Sequence, residues 1–303
     1  TKEESLIKGL IIIAVQMTAS KSEFRRKIKL PERMLIVADE VHKLGSEHFS
    51  DFFDIKFGKR LGLSATPERY GDPDGTKRIF DYFGDIIIPV FTLGDAVNCG
   101  RLVRYTFHPK KVDLQYEEQE KWDKYTKQII YAYSNQKKED SGKTSEKLKY
   151  LLIQRARIIK KAQNKVNIVV NILNDTFREK QHWLVYLEDK DQLLEVNKAL
   201  SSQGYKPYKY YSEMGEARED ELNAFISQSG ILLSINCLDE GIDIPVISHA
   251  IIAASSRNPR QFIQRRGRVL RKHENKLHAE VFDCLVLPKT KSSKKYNGLI
   301  FIS

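Results

Sequence analysis

The sequence contains no run of about 18 or more apolar residues, and its mean hydropathy is −0.46, so no membrane-spanning helix is expected. Cysteine is scarce. Cys99, Cys237 and Cys284 are the only three in 303 residues and lie far apart. They make neither a disulfide framework nor a zinc pair, which points to a reducing compartment, the cytoplasm. No basic-then-apolar signal segment opens the chain, and its first residue is Thr1 rather than Met. The chain therefore reads as a piece of something longer. Internal repeats are also missing. Several tight apolar runs argue against disorder over most of the length.

What is present is enough chain for about two domains and a marked positive charge, +11 overall. The excess is uneven. Residues 109–180 hold 17 basic and 10 acidic side chains, whereas the segments before and after hold 17 and 15 each. A basic stretch of this kind is either a solvated helical surface or a contact for an acidic partner, of which nucleic acid is the commonest.

The first third has the pattern of an α/β fold. Short apolar runs at 10–15, 34–38, 60–64 and 86–90 read as buried strands, and residues 71–76 as a turn cluster. Helical spacing follows at 117–134 and 145–178, around a polar loop at 135–144. The last third returns to α/β, with strands expected at 182–187, 205–211, 230–235, 248–253 and 279–285 and helices at 189–202, 216–227 and 259–271. Strands that alternate with helices imply a parallel sheet.

Four groups of residues carry chemistry. Asp39-Glu40-Val41-His42 follows an apolar run, which puts two carboxylates at the carboxyl edge of a sheet, where open α/β folds bind ligands. One acid can hold Mg²⁺ through water and the other can take a proton from an attacking water; an acidic surface turn is the alternative. Ser64-Ala65-Thr66 ends the next strand and could relay hydrogen bonds, or simply cap a turn. In Asp239-Glu240-Gly241-Ile242-Asp243-Ile244-Pro245, Gly241 permits tight backbone geometry and Asp243 could accept from sugar hydroxyls. In Gln264-Arg265-Arg266-Gly267-Arg268-Val269-Leu270-Arg271, arginines three apart (Arg265, Arg268, Arg271) share a helix face and suit phosphates. A nucleic-acid backbone patch or a partner-binding helix would use the same residues.

The order of these groups resembles the motif series of superfamily 2 helicases and translocases. The wording of the last two is similar to the branch of XPB-type repair helicases and restriction or phage-defence motors, and the resemblance spans roughly residues 8–287. It implies two RecA-like domains that sandwich ATP. Residues 1–108 would be the back part of the first, 109–180 a helical connector or insertion, 181–288 a complete second domain, and 289–303 a basic tail. Within that frame Asp39 would hold Mg²⁺ and Glu40 would orient or deprotonate the attacking water. His42, Ser64 and Thr66 would couple the nucleotide site to the nucleic-acid site. Gly241 and Asp243 would contact the nucleotide, and Arg268 and Arg271 would act as arginine fingers supported by Gln264 and Arg265. Leu184-Val185-Tyr186 falls where motif IV is expected, and Gln16-Met17-Thr18 near motif Ib. The implied partner is DNA, with RNA as the alternative.

Two features depart from the family. These enzymes carry a phosphate loop, GxxxxGK[ST], and none occurs in this sequence. Ser141-Gly142-Lys143-Thr144 has Lys137 where the first glycine belongs and no strand before it. Ala14 and Ile235 also stand where many relatives have threonine. A C-terminal part of an ATP-driven DNA motor is therefore one expectation. A binding module that lacks hydrolysis of its own is another.

Overall fold

The computed structural model describes residues 11–69, 71–136, 146–235, 244–254, 265–274 and 276–289. The chain divides into two compact units, Thr1–Val90 and Phe91–Ser303.

The first unit is built on a two-stranded parallel sheet, β1 (Leu35–Ala38) and β2 (Lys59–Gly62), in which Ala38 pairs with Gly62. Two short helices, α1 (Gln16–Ala19) and α2 (Ser22–Lys27), precede it, and α3 (Pro73–Phe83) follows. Leu44, Phe52, Phe57, Ile79 and Tyr82 form its core. Three expectations fail here. Residues 11–15 have no regular structure, and neither do residues 86–90. Both runs are apolar enough for strands, but among the described residues the sheet of this unit pairs β1 with β2 alone, and an unpaired apolar run is not a strand. The turn cluster at 71–76 is instead the start of α3. Asp72 caps it by accepting the Gly75 N–H at 2.8 Å, and Pro73 takes the first turn, where a missing N–H costs nothing.

The second unit is a six-stranded, all-parallel sheet in the order β3-β8-β7-β4-β6-β5. Its strands are β3 (Arg104–Val112), β4 (His182–Leu187), β5 (Tyr208–Tyr210), β6 (Gly230–Ile235), β7 (His249–Ile252) and β8 (His278–Val286). Its helices are α4 (Leu93–Asn98), α5 (Tyr116–Gln136), α6 (Glu146–Lys160), α7 (Asn164–Thr176), α8 (Lys190–Ser201) and α9 (Ala217–Gln228). One sheet face packs on α7 and α8 through Val169, Leu173, Leu193 and Leu200. The other packs on α9 and on the helical residues 265–269, through Leu222, Phe225 and Val269. Helices on both faces explain why β4 and β6 read as continuous apolar runs. The α/β parallel-sheet class expected from the sequence is the class observed.

β3 was not legible as a strand. It carries Pro109 and three basic residues, which only an edge strand tolerates, and β3 is an edge. It lies wholly in the second unit, Phe91–Ser303. The long helical stretch at 145–178 divides into α6 and α7. Helix α7 lies on the sheet, while α6 pairs with α5 around Ile129, Leu148 and Leu151. The expected loop at 135–144 lies mostly outside the described residues, and Asn135 and Gln136 end α5. Among the described residues no helix is long and apolar enough to cross a membrane.

Candidate functional site

In the first unit the parallel register runs on past the formal strands. Leu63 donates its N–H to Ala38 O at 2.8 Å, and Val41 donates to Leu63 O at 2.9 Å. This ladder brings Asp39-Glu40-Val41-His42, at the end of β1, beside Ser64, just past β2. The His42 Nδ1 lies 3.0 Å from Ser64 Oγ and 3.2 Å from Glu40 Oε2. The Ser64 hydroxyl can donate to or accept from the ring nitrogen, so either tautomer of His42 joins it to Ser64. Ser64 Oγ also accepts the Thr66 N–H at 3.2 Å. Asp39, Glu40, His42, Ser64 and Thr66 are thus one cluster. His42 is buried at its centre, Glu40 is half-buried and Asp39 is exposed at the rim.

Glu40 has φ 47° and ψ 44°, the left-handed conformation. For a non-glycine residue this costs about 1–2 kcal/mol, and such strain persists where surrounding contacts hold it. Here Glu40 Oε2 lies beside the His42 imidazole, and Gln16 Nε2 donates to Asp39 O at 2.6 Å. Gln16 therefore touches the backbone of this cluster, whereas the sequence only placed it near motif Ib.

Two arginines missed by the sequence hold the cluster from behind. Arg69 donates to His42 O and, through Nε, to Asp72 Oδ2 at 2.7 Å; Arg78 Nη2 donates to Gly45 O at 2.7 Å. Burial pushes the Asp72 carboxyl up, but the Gly75 N–H and the Arg69 guanidinium outweigh it and hold the group below its ordinary value. Gly45 and Gly75 pack backbone against backbone: a Cβ on Gly75 would sit 2.5 Å from Gly45 O.

In the second unit the arginine-rich segment sorts into two kinds. Arg265 is buried. Its Nη1 donates to Ala254 O at 2.7 Å, and its guanidinium lies 5.1 Å from the Tyr186 ring centroid. It does not share an outward target with Arg268 and Arg271, which are partly exposed. The three-residue spacing failed to reveal this because it says nothing about which way a face points. Arg266 lies 4.1 Å from the Phe107 ring centroid, and burial holds its pKa below the ordinary guanidinium value. Leu270 O accepts the Val103 N–H at 2.8 Å. Buried Lys276, also missed, donates Nζ to Pro245 O at 2.6 Å, Ile247 O at 2.9 Å and Val269 O at 3.0 Å. It thereby ties the end of the Asp239–Pro245 stretch to the arginine segment. Gly241, Asp243 and Gln264 lie outside the described residues. Among the described residues no cluster of three or more His, Cys, Asp or Glu could hold a metal by itself.

Residues 164–273 match the helicase conserved C-terminal domain family. The DNA 3'-5' translocase XPB2 of Sulfurisphaera tokodaii is 26% identical over 287 residues, covering 89% of this chain and 62% of its own length. The chain thus spans less than two thirds of this curated relative. The Hef helicase domain of Pyrococcus furiosus superposes with a TM-score of 0.51 at 15% identity, over 90% of this chain and 74% of its own. The ATP-dependent Type ISP restriction-modification enzyme LlaBIII bound to DNA gives a TM-score of 0.55 at 16% identity, over 90% of this chain and 19% of its own. Residues 164–273 thus resemble a helicase C-terminal domain, on the parallel-sheet α/β fold that these solved structures share.

Proposed function

We propose that the chain is part of an ATP-dependent DNA helicase or translocase. The observation that carries this reading is the cluster in which Glu40, beside Asp39 at the carboxyl edge of β1, meets Ser64 through His42. Ligands of open parallel sheets bind at such edges. Glu40, half-buried and held in a strained backbone, is placed to orient or deprotonate the attacking water. His42 links it to Ser64 and Thr66, so a shift at the β2 end is felt at the catalytic carboxylate. Arg268 and Arg271 supply charge to the γ-phosphate; arginine fingers are worth about 10³–10⁵ in rate in related phosphoryl-transfer enzymes. Gly241, Asp243 and Gln264 complete the nucleotide contacts, while Arg265 packs the segment rather than reaching phosphate.

The donor chemistry fits Mg²⁺. An exposed carboxylate at a sheet edge, which among the described residues belongs to no cluster of three or more metal-ligating side chains, suits an ion that keeps most of its waters. Bound through water at Asp39, it would neutralise charge on the phosphates.

DNA is favoured as partner by the similarity to the XPB2 DNA translocase and to the DNA-bound restriction enzyme. The second unit also offers a basic face. Lys124, Lys127 and Tyr131 follow one another at helical spacing on α5 and are exposed, with Lys121 beside them. A repair or a restriction and defence complex would both use such a motor, with further subunits.

The test reads the coding region upstream of Thr1 and assays the product for ATP hydrolysis with and without duplex DNA. The expected results are an in-frame strand followed by GxxxxGK[ST], hydrolysis stimulated by DNA, and its loss in E40Q. A frame without that motif, or a product whose hydrolysis survives E40Q, overturns the reading in favour of a nucleic-acid-binding module.

A further inference from the structure

The end of β7 is held by two buried cations that approach from opposite faces of the sheet. Lys165, in the first turn of α7, is fully buried, and its Nζ donates to Ala253 O at 2.6 Å. Arg265, from the segment packed on the other face, donates to Ala254 O at 2.7 Å. The N–H groups of the same two alanines both reach Tyr186 O at 3.0 Å, under the ring that Arg265 covers. Lys165 Nζ also lies 3.4 Å from Lys160 O, the last residue of α6, whose carbonyl accepts in addition from Gln192 Nε2 at 3.2 Å. One ammonium therefore joins the end of the α5–α6 hairpin to the strand end on which the arginine segment hangs.

We propose that Lys165 is a positioning residue for Arg268 and Arg271: its ammonium fixes the Ala253–Ala254 strand end to α6 and so sets, through Arg265, where the two outward arginines stand. The proposal rests on the reading above that these two arginines serve the nucleotide.

The alternative is that Lys165 merely fills space. A methionine would fill it without the cost of burying a charge, and buried ions are often replaceable by apolar residues at no loss of stability. A buried cation that spends its donors on two carbonyls of different elements fixes a geometry that an apolar side chain cannot. The groups facing it are Asp283 and Cys284 of β8, Glu188 just past β4 and Lys160 of α6; burial outweighs the acids among them and brings the ammonium pKa down to about 8. The native protein can thus lose this charge in a mild titration without any substitution.

The experiment uses the full 303-residue chain with arginine labelled at the guanidinium carbon. Resonances are assigned through R265K, R268K and R271K, and spectra are followed from pH 7 to 9.5. The expected result is that Arg265, Arg268 and Arg271 move together with a midpoint near pH 8, while Arg178, far from the strand end in sequence, stays still. K165M should displace the same three resonances at every pH. K165R, whose cation persists, should restore them and abolish the titration. Wild-type resonances in a folded K165M, a midpoint near 8 that survives in K165R, or equal shifts of all arginines overturn the proposal. Should neither variant fold, the wild-type titration decides alone: no step near pH 8 at the three arginines ends it. None of these readouts requires nucleotide, so a failed hydrolysis assay leaves them standing and a failed titration leaves the hydrolysis reading standing.

Discussion

His42 and Ser64 are 22 residues apart in the chain and 3.0 Å apart in space. The contact joins the ends of β1 and β2, and it exists because the parallel ladder continues through the Val41 and Leu63 amides. Two motifs that look independent in sequence are therefore one hydrogen-bonded unit with Glu40 at its exposed side.

Ser64→Ala tests that unit. Ser64 Oγ lies 3.0 Å from His42 Nδ1 and also accepts the Thr66 N–H, so the loss is two neutral hydrogen bonds, about 2 kcal/mol. Hydrogen exchange of the β1 amides reads this directly, since both tryptophans, Trp122 and Trp183, lie in the second unit. In a hydrolysing product the same change should lower the stimulation by DNA more than the basal rate. Equal loss of both would show that the contact does not couple the two sites.

The arginine segment predicts opposite phenotypes for neighbouring residues. Arg265→Ala removes a buried charged donor and its packing on Tyr186, and should cost about 3 kcal/mol. Urea unfolding followed at Trp183, buried in the core of the same unit, measures it. Arg268→Ala and Arg271→Ala should cost less than about 1 kcal/mol and yet abolish hydrolysis in a competent product. Equal destabilisation by all three would erase the division into packing and outward arginines.

Much of this organisation was legible in the sequence. Five of the six strands of the second sheet stand out because helices cover both faces, which forces continuous apolar runs such as His182–Leu187 and Gly230–Ile235. β3 did not, because an edge strand can carry Pro109, Lys110 and Lys111. The runs at 11–15 and 86–90 misled for the converse reason: apolar character is necessary for a buried strand, but a pairing partner decides. In the candidate site, the grouping of Asp39, Glu40, His42 and Ser64 was expected because motif order is written along the chain. The contacts of Gln16, Arg69, Lys165 and Lys276 were not. Each acts through backbone carbonyls of distant residues, and a carbonyl leaves no mark in a sequence.

Lys276 illustrates the point and gives a third prediction. Its ammonium meets three carbonyls between 2.6 and 3.0 Å. Lys276→Met leaves buried acceptors without that donor and should cost about 3 kcal/mol. Lys276→Arg should recover less than half of the loss, because a planar fork cannot aim at three carbonyls that converge on a point. Urea midpoints of the two variants give the answer, and full recovery by arginine would refute the point-donor geometry.

Acid should weaken the second unit through His249. The imidazole stacks on Trp183 at 4.4 Å, and its Nδ1 lies 2.8 Å from Ser248 Oγ. Burial and the nearby His278 outweigh the pull of Glu280 and bring its pKa down to about 4. Between pH 6.5 and 4 the unfolded chain binds this proton and the folded one does not, so the stability is complete above about 6.5 and is lost as the pH falls toward 4. The loss at this one site is at most about 3 kcal/mol. His249→Phe keeps the ring stack and removes the titration, so its unfolding midpoint should fall less steeply over that range. Parallel pH profiles for the two proteins would clear His249 of the effect.

Salt dependence separates phosphate contact from a merely solvated charge on α5. If Lys124 and Lys127 meet a nucleic-acid backbone, each neutralises about one phosphate and releases its counterions. The slope of log affinity against log salt then becomes shallower by about 0.9 for each lysine removed. Lys124→Gln and Lys127→Gln should show this on duplex DNA of unrelated sequences, with weakening that is uniform across them because phosphate contacts carry no base information. Tyr131→Ala should weaken binding with the slope unchanged, since a ring contributes contact without charge. Slopes equal to the wild type in both lysine variants would assign this face to solvent and move the DNA contact elsewhere on the second unit.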